Sequence, residues 1–229
     1  MHPRDHALIL VDLQPDFMPG GALAVRGGDE VLPVARDAMT QFACVVATQD
    51  WHPADHQSFA SQHAGKQPGE VIDLHGLPQV LWPDHCVQGT PGAALSQALD
   101  LSAVTRVFQK GTDRTVDSYS GFFDNGRRSS TGLGEWLRAE GITAVHVLGL
   151  ATDYCVKFTA LDARELGFEV TLLARGCRGV ELQAGDTVRA LHDNGFLMCV
   201  DVTAVDYLTY GRRTAAEGDV VLTERTVPG

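Results

Sequence analysis

Three polar side chains have the types needed for acyl transfer if the fold brings them together. Cys155 lies in the turn Gly149–Val156, between an apolar run and a helical stretch. The dipole and the free amides of a helix start favour a thiolate there. Asp12 and Lys110 each follow an apolar run. A proton shuttle, a cation and a nucleophilic thiol are what hydrolysis of an acyl compound requires.

Taken singly, each of these residues has an ordinary interpretation. A lone cysteine is most often a small buried hydrophobic residue. A lone Asp12 is typical of a turn, and a lone Lys110 is typical of a solvated loop. The prediction that Asp12, Lys110 and Cys155 act together therefore depends on their combination.

A second group has the residue types and spacing of a mixed nitrogen and oxygen metal site. Asp50 and His52 are two positions apart, and His85 lies in the distant segment Trp82–Cys86. Carboxylate and imidazole ligands suit zinc, iron or manganese and leave positions for water or substrate. The Asp-x-His spacing alone is a weak signal, and surface histidines in a polar loop explain it about as well. Cys86 is left out because a residue adjacent to His85 points elsewhere.

The other histidines and cysteines have no partner that the sequence pattern identifies. Cys44 and Cys199 lie in apolar runs and are interpreted as core, and Cys177 is placed in a loop between Arg175 and Arg178 without a base beside it. The unassigned histidines are interpreted as structural or solvated: His2, His6, His63, His75, His146 and His192.

Short apolar runs alternate with stretches of helical period, which predicts the elements that position these residues. Continuous apolar runs are typical of parallel strands that helices cover on both faces. We therefore expect an α/β fold with an open, doubly wound, mostly parallel six-stranded sheet. Ligands bind at the carboxyl ends of such strands, where Asp12, Asp50 and Lys110 fall. The predicted strands are Ala7–Val11, Cys44–Thr48, Val104–Gln109, Ala144–Leu148, Glu169–Leu173 and Phe196–Val200.

Four helices are predicted between these strands. The first begins behind an Asp29 cap and has apolar residues at helical spacing from Val31 to Phe42. The others end at Gly141, at Gly167 and at Asn194-Gly195, the glycine expected just past a helix. Residues 49–100 have no long periodic run but are rich in His, Trp, Pro and Gly, and we interpret them as an insertion that builds the site.

The composition bounds the partners and the location. The chain has 229 residues, 18 Lys and Arg against 29 Asp and Glu, and a net charge of −11, which argues against nucleic-acid binding and favours a small-molecule substrate. No apolar run approaches the roughly 20 residues of a membrane span, and Asp12 interrupts the only candidate signal-peptide core. Five cysteines without a CxxC pair indicate a reduced compartment. We expect one cytoplasmic domain over residues 1–229, with a homo-oligomer left open.

Five segments together resemble the isochorismatase-like cysteine hydrolase superfamily and, within it, the nicotinamidases. The match runs from about Ala7 to Val200 and leaves the tail beyond Asp206 without a counterpart or an assigned role. The matching segments are Leu10–Phe17, Thr48–Pro53, Trp82–Thr90, Lys110-Gly111 and Gly149–Val156.

The resemblance implies a role for each matching residue. It makes Asp12, Lys110 and Cys155 a catalytic triad. It makes Asp50, His52 and His85 the ligands of one divalent metal ion, zinc first and iron or manganese as alternatives, with His56 at a position that binds metal in some relatives only. It also implies a cis peptide at Leu150–Ala151, an oxyanion hole from the amides of Ala151 and Cys155, and a pyridine pocket lined by Phe17, Trp82 and Tyr119.

The implied activity is hydrolysis of nicotinamide to nicotinate and ammonia, a step of NAD salvage, through a thioester on Cys155. Relatives that hydrolyse isochorismate or N-carbamoyl compounds share the triad pattern but generally lack the metal ligands, so the Asp-x-His pair favours nicotinamide. A related amidase acting on another small amide or carbamoyl compound remains the alternative. Two alternatives from other functional classes are disfavoured. A non-enzymatic phospho-acceptor domain would give Cys155 no role. The intact triad argues against a metal-binding scaffold without catalytic activity.

Overall fold

The computed structural model describes residues 2–193 in full and, beyond them, the backbone of two short strands. Two antiparallel strands form a separate small sheet, and the other seven form the central sheet in the order β5-β2-β1-β6-β7-β9-β8. In chain order the strands are β1 (His6–Val11), β2 (Cys44–Asp50), β3 (Val71–Leu74), β4 (Leu77–Val80), β5 (Arg106–Lys110), β6 (Ala144–Leu150), β7 (Glu169–Arg178), β8 (Leu197–Met198) and β9 (Tyr207–Thr209).

The central sheet is mostly parallel, as the alternation of strands and helices predicts. Strands β5, β2, β1, β6 and β7 are parallel neighbours, whereas β9 runs antiparallel to β7 and to β8. The expected number of six strands is wrong, because the described strands include β9 as a seventh. Its three residues are too few to give a periodic signal. Of the predicted strand Phe196–Val200, only Leu197–Met198 is described.

The apolar runs of the sequence form the strands because the centre of the sheet is buried on both sides. Every residue of β6 is buried, as is every residue of β1 after His6. Consecutive residues of a strand point to opposite faces, so both faces of these strands are covered. One hydrophobic cluster extends from Ala7 to Leu191, which makes the sheet the centre of the core.

The described helices are α1 (Val31–Met39), α2 (Leu133–Ala139), α3 (Lys157–Glu165) and α4 (Asp186–His192). Gly141 and Gly167 have φ angles of 73° and 92° just past α2 and α3, as predicted for glycines that stop helices. Asn194-Gly195 lies outside the described residues. None of the described helices combines the length and the apolar character that crossing a bilayer requires.

One predicted helix cap is wrong. Asp29 does not cap α1, because it lies inside the short 3-10 turn Gly28–Glu30 that runs directly into the helix. Cys155 lies near a helix start as predicted, in the π-helical turn Thr152–Val156 that leads directly into α3.

The segment between β2 and β5 is largely irregular, as predicted, but it contains the hairpin β3–β4. Its two-residue turn is His75-Gly76, with φ angles of 52° and 86°, and Gly76 N donates to Asp73 Oδ1 at 3.0 Å. Positive φ at both positions is typical of the tight turn that joins antiparallel strands. Four-residue strands with polar residues and Pro78 gave no strand signal in the sequence.

Candidate active site

The carboxyl ends of the parallel strands bring the predicted triad residues together. Asp12 directly follows β1, Lys110 ends β5, and Cys155 lies in the turn after β6. Asp50 ends β2 and is the register partner of Lys110 on β5. A carboxylate oxygen of Asp12, one of Asp50 and Cys155 Sγ all lie within 4.8 Å of one another. The sheet therefore places the thiol, the lysine and both acids at one edge.

Lys110 is the centre of this group, and its ammonium is completely buried. Lys110 Nζ lies 2.9 Å from Asp12 Oδ2 and 2.5 Å from Asp50 Oδ1. It also donates to the carbonyl oxygen of Ser118 at 2.8 Å and lies 3.5 Å from Cys155 Sγ. One cation thus holds both carboxylates and the thiol in place.

The charges of this cluster move the pKa values in opposite directions. Burial alone would lower the pKa of Lys110, but Asp12 and Asp50 raise it well above its usual range. Burial would raise the pKa of Asp50, but Lys110 and His52 hold it well below its usual range. Burial raises the pKa of Asp12 in spite of Lys110, so Asp12 is the more basic of the two carboxylates. A carboxylate of this kind suits a general base.

The surroundings of Cys155 favour its thiol form, which opposes the thiolate stabilisation expected from the helix start. Burial raises the pKa of Cys155 well above its usual range, Lys110 opposes this, and Asp12 and Asp50 add to it. These two carboxylates lie at the ends of β1 and β2 and are not part of the local helix-start pattern. Asp12 Oδ2 is a buried atom that lacks a hydrogen-bond partner among the described residues, and Lys110 approaches it outside hydrogen-bond geometry. This oxygen is available to accept the thiol proton.

Asp12 itself is held by its neighbours on β1 and β2. Its φ angle is 50°, a left-handed conformation that Asp tolerates better than most residues. Thr48 Oγ1 donates to Asp12 Oδ1 at 2.6 Å, and Gln14 N donates to the carbonyl oxygen of Asp12 at 2.8 Å. The role of Thr48 was not predictable from the sequence, because a position on a buried strand gives no sign of its partner.

The predicted metal ligands form a compact buried group. Asp50 Oδ2 lies 3.6 Å from His52 Nε2 and 3.8 Å from His85 Nε2. His52 Nδ1 is 2.9 Å from the carbonyl oxygen of Gly111, and His85 Nδ1 is 2.8 Å from that of Pro83. A carbonyl can only accept, so both Nδ1 atoms donate a hydrogen to it and both Nε2 atoms face Asp50. Metal-binding histidines are usually oriented by such a hydrogen bond from the other ring nitrogen, and one carboxylate with two imidazoles fits a divalent cation.

Backbone pairing in the irregular segment brings His52 and His85 together. His52 N donates to the carbonyl oxygen of Cys86 at 3.0 Å, and Gln88 N donates to that of His52 at 2.8 Å. Cys86 N donates to Asp16 Oδ2 at 2.7 Å. Gly111, with a φ angle of 63°, needs to be glycine, because a Cβ there would lie 2.3 Å from the His52 ring.

Gln14 fixes the backbone of Asp50 and was missed in the sequence. Asp50 N donates to Gln14 Oε1, and Gln14 Nε2 donates to the carbonyl oxygens of Asp50 and Ala93, all at 2.8 Å. The only signal was its place in the turn after β1, within a segment that carries the family resemblance.

His56 lies beside this group rather than within it. Its ring centroid is 4.4 Å from that of His52, and it forms a separate candidate cluster with His52 and Asp117. His56 Nδ1 is 2.7 Å from Ser58 Oγ, whereas the buried Nε2 has no hydrogen-bond partner in the described structure. His56 as a further ligand stays a prediction.

A cavity of about 330 Å³, partly open to solvent, reaches both the thiol and the metal-binding group. The three predicted pocket residues line it, as do Ala151 and Cys155. Tyr154 is an addition, and its ring meets Trp82 edge-on at 4.9 Å. The lining residues are Phe17, Leu23, Asp50, Trp82, His85, Asp117, Tyr119, Ala151, Tyr154, Cys155 and Val180.

The turn between β6 and α3 carries the predicted oxyanion hole. The Leu150–Ala151 peptide is cis, as the resemblance implies. The carbonyl oxygen of Ala151 accepts from Tyr154 N and Val156 N, both at 3.1 Å, and this fixes the turn around Cys155. The role of the Ala151 and Cys155 amides toward an oxyanion stays a prediction.

The prediction that Cys177 lies in a loop is wrong, because this residue lies in β7. It is buried, and burial raises the pKa of its thiol to about 12, so it is unreactive despite its arginine neighbours. The described cysteines are all free thiols: Cys44, Cys86, Cys155 and Cys177. Among the described cysteines, Cys155 is the one with an acid and a lysine beside it.

A parallel α/β fold with a buried thiol, an acid and a lysine beside a carboxylate–imidazole group defines the class of site found in cysteine-dependent hydrolases. Comparison with known families agrees, since residues 6–206 match the Isochorismatase domain. The chain belongs to this family.

Individual relatives match most of the chain. A nicotinamidase from Escherichia coli (strain K12) is 54% identical over 194 residues, which are 83% of this chain and 90% of that protein. A solved nicotinamidase and pyrazinamidase from Acinetobacter baumanii has a TM-score of 0.82 and 42% identity, covering 85% of this chain and 93% of the other. A pyrazinamidase from Pyrococcus horikoshii, solved in complex with zinc, has a TM-score of 0.67 and 40% identity, covering 84% and 94%.

Proposed function

We propose that the protein is a metal-dependent cysteine amidohydrolase that converts nicotinamide to nicotinate and ammonia, a step of NAD salvage. The supporting observation is a single cavity that reaches Cys155, the metal-binding carboxylate and imidazole, and the aromatic side chains of Phe17 and Trp82. Such a cavity suits a flat aromatic ring that carries a carboxamide. The relatives named nicotinamidase, which match most of the chain, support the same substrate.

Asp50, His52 and His85 would hold one divalent metal ion, and zinc is our first choice because a similar pyrazinamidase was solved with zinc. Iron or manganese would also suit one carboxylate and two imidazoles. When bound, the ion would supply Lewis acidity and could accept the lone pair of a ring nitrogen of the substrate. The ring stacking and edge contacts of Phe17, Trp82 and Tyr119 would orient the ring so that the carboxamide faces Cys155.

In the first half of the reaction, Asp12 takes the proton of Cys155, and Cys155 Sγ forms a bond to the carboxamide carbon. Lys110 stabilises the developing thiolate, to which its Nζ is close at 3.5 Å. The amides of Ala151 and Cys155 would hold the oxyanion, each worth about 3 kcal/mol in comparable sites. Asp12 then gives its proton to the departing nitrogen, the C–N bond breaks, ammonia leaves and a thioester remains.

In the second half, water attacks the thioester and Asp12 accepts a proton from it. The C–S bond breaks, nicotinate leaves, and the proton returns to Cys155 Sγ. Asp12 thus acts twice as a base and twice as an acid, which a carboxylate with a raised pKa does better than an ordinary one.

The domain organisation, the cellular location and the type of substrate are part of the same proposal. We propose one domain over residues 1–229, doubly wound with helices on both faces, and the complete burial of β6 supports cover on both sides. The described cysteines form no disulfide, which supports a cytoplasmic location. The substrate is a small molecule, and the proposal is compatible with a homo-oligomer.

The proposal is tested by ammonia release from nicotinamide, with and without prior chelation. Release should require both the metal and Cys155, so Cys155→Ala should be inactive with its metal content unchanged. Cys177→Ala, which removes a buried thiol away from the cavity, is the matched control and should stay active. No release by reduced, metal-loaded protein would overturn the nicotinamide assignment, and activity of Cys155→Ala would overturn the nucleophile.

A related small amide is the second candidate substrate, because similar proteins are named pyrazinamidase. Pyrazinamide has the same ring size and the same carboxamide, so the cavity would accept both. Comparison of kcat/KM for nicotinamide, pyrazinamide and a non-aromatic carbamoyl compound separates these candidates. We expect the two aromatic amides to be hydrolysed and the carbamoyl compound to be a poor substrate.

A further inference from the structure

Three histidines to which the sequence pattern assigns no function converge at the opposite end of the strands from the cavity. His6 is the first residue of β1, and His146 lies near the start of β6. The register pairs His6 with Ala144 and Leu8 with His146. Because alternate residues of a strand share a face, His6 and His146 lie on the same face of the sheet. The candidate active site lies at the carboxyl ends of these strands, about 20 Å away along the strand direction.

The ring nitrogens of His2, His6 and His146 are close enough to share one ion. One nitrogen from each ring lies within 4.8 Å of the others. His6 Nδ1 and His146 Nε2 form a hydrogen bond of 3.1 Å, which a bound ion would replace. In a tetrahedral zinc site with Zn–N bonds of about 2.0–2.1 Å, two ligand nitrogens are about 3.4 Å apart. The spacing of His6 and His146 is therefore close to that of two imidazoles on one zinc ion.

The third histidine is held against the other two by packing and by its backbone. The His2 ring stacks on Phe42 with centroids 4.1 Å apart and lies 4.5 Å from the His146 ring. His2 N donates to the carbonyl oxygen of Gln41 at 2.8 Å. His2 and His6 are half-buried, whereas His146 is buried. The cluster therefore has a protein-covered side and a side that solvent reaches.

The surroundings of His2 and His146 favour the neutral form of imidazole. Burial, His2 and His6 lower the pKa of His146 to about 4, and burial followed by His6 lowers the pKa of His2. Neutral imidazole is the form that binds metals, so near neutral pH little proton release opposes binding. The nearby carboxylate of Asp5 is engaged elsewhere, since it accepts from Thr143 Oγ1 at 2.8 Å.

We propose that His2, His6 and His146 form a second metal site, which binds one zinc-class divalent ion through three imidazole nitrogens. Water completes the coordination from the solvent side. An all-imidazole set suits zinc, copper, nickel and cobalt better than magnesium or calcium, which prefer oxygen ligands. Binding would tie the residues before β1 to the amino end of β6.

Zinc content after equilibrium dialysis against zinc chloride tests this site. His146→Gln and His6→Gln should each hold one zinc ion fewer than the parent protein, and His192→Gln, which changes an exposed histidine at the end of α4, should hold the same amount. The loss should also occur when His52→Ala is the parent, because that change removes a ligand of the other site. Equal zinc content in the parent, His6→Gln and His146→Gln would overturn the proposal.

Ring-nitrogen NMR with labelled histidine covers the case in which His146→Gln does not fold. Adding zinc to the parent protein should shift the ring-nitrogen signals of His2, His6 and His146 together. In the His52→Ala protein, a tetrahedral cobalt complex should give visible absorption that the further change His6→Gln abolishes. Unshifted signals at saturating zinc would overturn the site even if every variant folds poorly.

Discussion

The triad and the metal-binding group meet in one cavity, but the chain builds them differently. Asp12 and Lys110 lie at the ends of parallel strands, so the register of the sheet sets their separation. His52 and His85 come from the irregular segment between β2 and β5, and a few backbone hydrogen bonds bring them together. Asp50 belongs to both, because it ends a strand and contacts Lys110 through one oxygen and the histidines through the other.

This difference shows where each half is vulnerable. The triad depends on a buried charge balance, in which one ammonium compensates two carboxylates. The metal-binding group consists of one carboxylate and two imidazoles and depends on the carbonyls that orient them. Changes at Lys110 should therefore damage both halves, whereas changes around His85 should leave the triad intact.

The largest effect is expected for Lys110→Met, which removes the link between the halves. Two buried carboxylates would lose their cation, and such a loss typically destabilises a protein by about 3–5 kcal/mol. We expect that decrease in urea denaturation together with loss of ammonia release. Lys66→Met, which breaks only an exposed pair with Glu70, should cost less than about 1 kcal/mol. Wild-type stability of Lys110→Met would contradict the buried charge balance.

His85→Ala should separate the two halves. It removes one imidazole ligand, so metal affinity should fall by more than about 100-fold. The contacts of Lys110 with Asp12 and Cys155 do not involve His85, so alkylation of Cys155 by iodoacetamide should keep its rate within about twofold when metal-free proteins are compared. His63→Ala is the control, because the His63 ring contacts the carbonyl oxygen of Gln57 and not the metal-binding group. A changed alkylation rate would show that the halves are not independent.

Gln14→Leu tests the strand-to-loop junction through a positioning residue. It removes both hydrogen bonds that hold the Asp50 backbone, so we expect metal affinity to fall by about 10–100-fold and stability by about 1–3 kcal/mol. Gln49→Leu is the matched control, because Gln49 also donates to the carbonyl oxygen of Ala93 but not to Asp50. Equal metal affinity in the two variants would mean that Gln14 only packs.

The same division explains how much the sequence could predict. The parallel strands were predictable because burial on both faces requires nearly continuous apolar runs, and the strand ends then located Asp12, Asp50 and Lys110. The three-residue strand β9 was not predictable, because so short a segment has no hydrophobic period to detect. His52 and His85 were located by residue type and resemblance, since nothing local fixes the distance between two loop positions.

Contacts between distant residues account for what was missed. Gln14 and Thr48 were not identified because their roles come from partners 36 positions away. The effect of the helix start on Cys155 was overestimated, because the local helix-start pattern contains neither the burial nor the two carboxylates that raise the pKa of this thiol. The cluster of His2, His6 and His146 was likewise invisible, since it depends on the register between β1 and β6.

The smallest and most selective effect is expected for Thr48→Val, which alters the triad alone. The Thr48 hydroxyl donates to Asp12 Oδ1 at 2.6 Å and lowers the pKa of that carboxyl. Its removal raises the pKa, so the deprotonated base is lost at a higher pH and the acid limb of kcat/KM should move upward. A hydrogen bond to a charged group is worth about 1.5–3 kcal/mol, which corresponds to about one to two pH units.

Thr48→Ser keeps the hydroxyl and should keep the wild-type pH profile, and both variants should retain their metal, because Thr48 does not contact Asp50, His52 or His85 in the described hydrogen bonds. An unmoved acid limb in Thr48→Val would mean that Asp12 is not the base that titrates in the reaction. A shift in Thr48→Val with unchanged metal content would show that the sheet end can be tuned without disturbing the loop beside it.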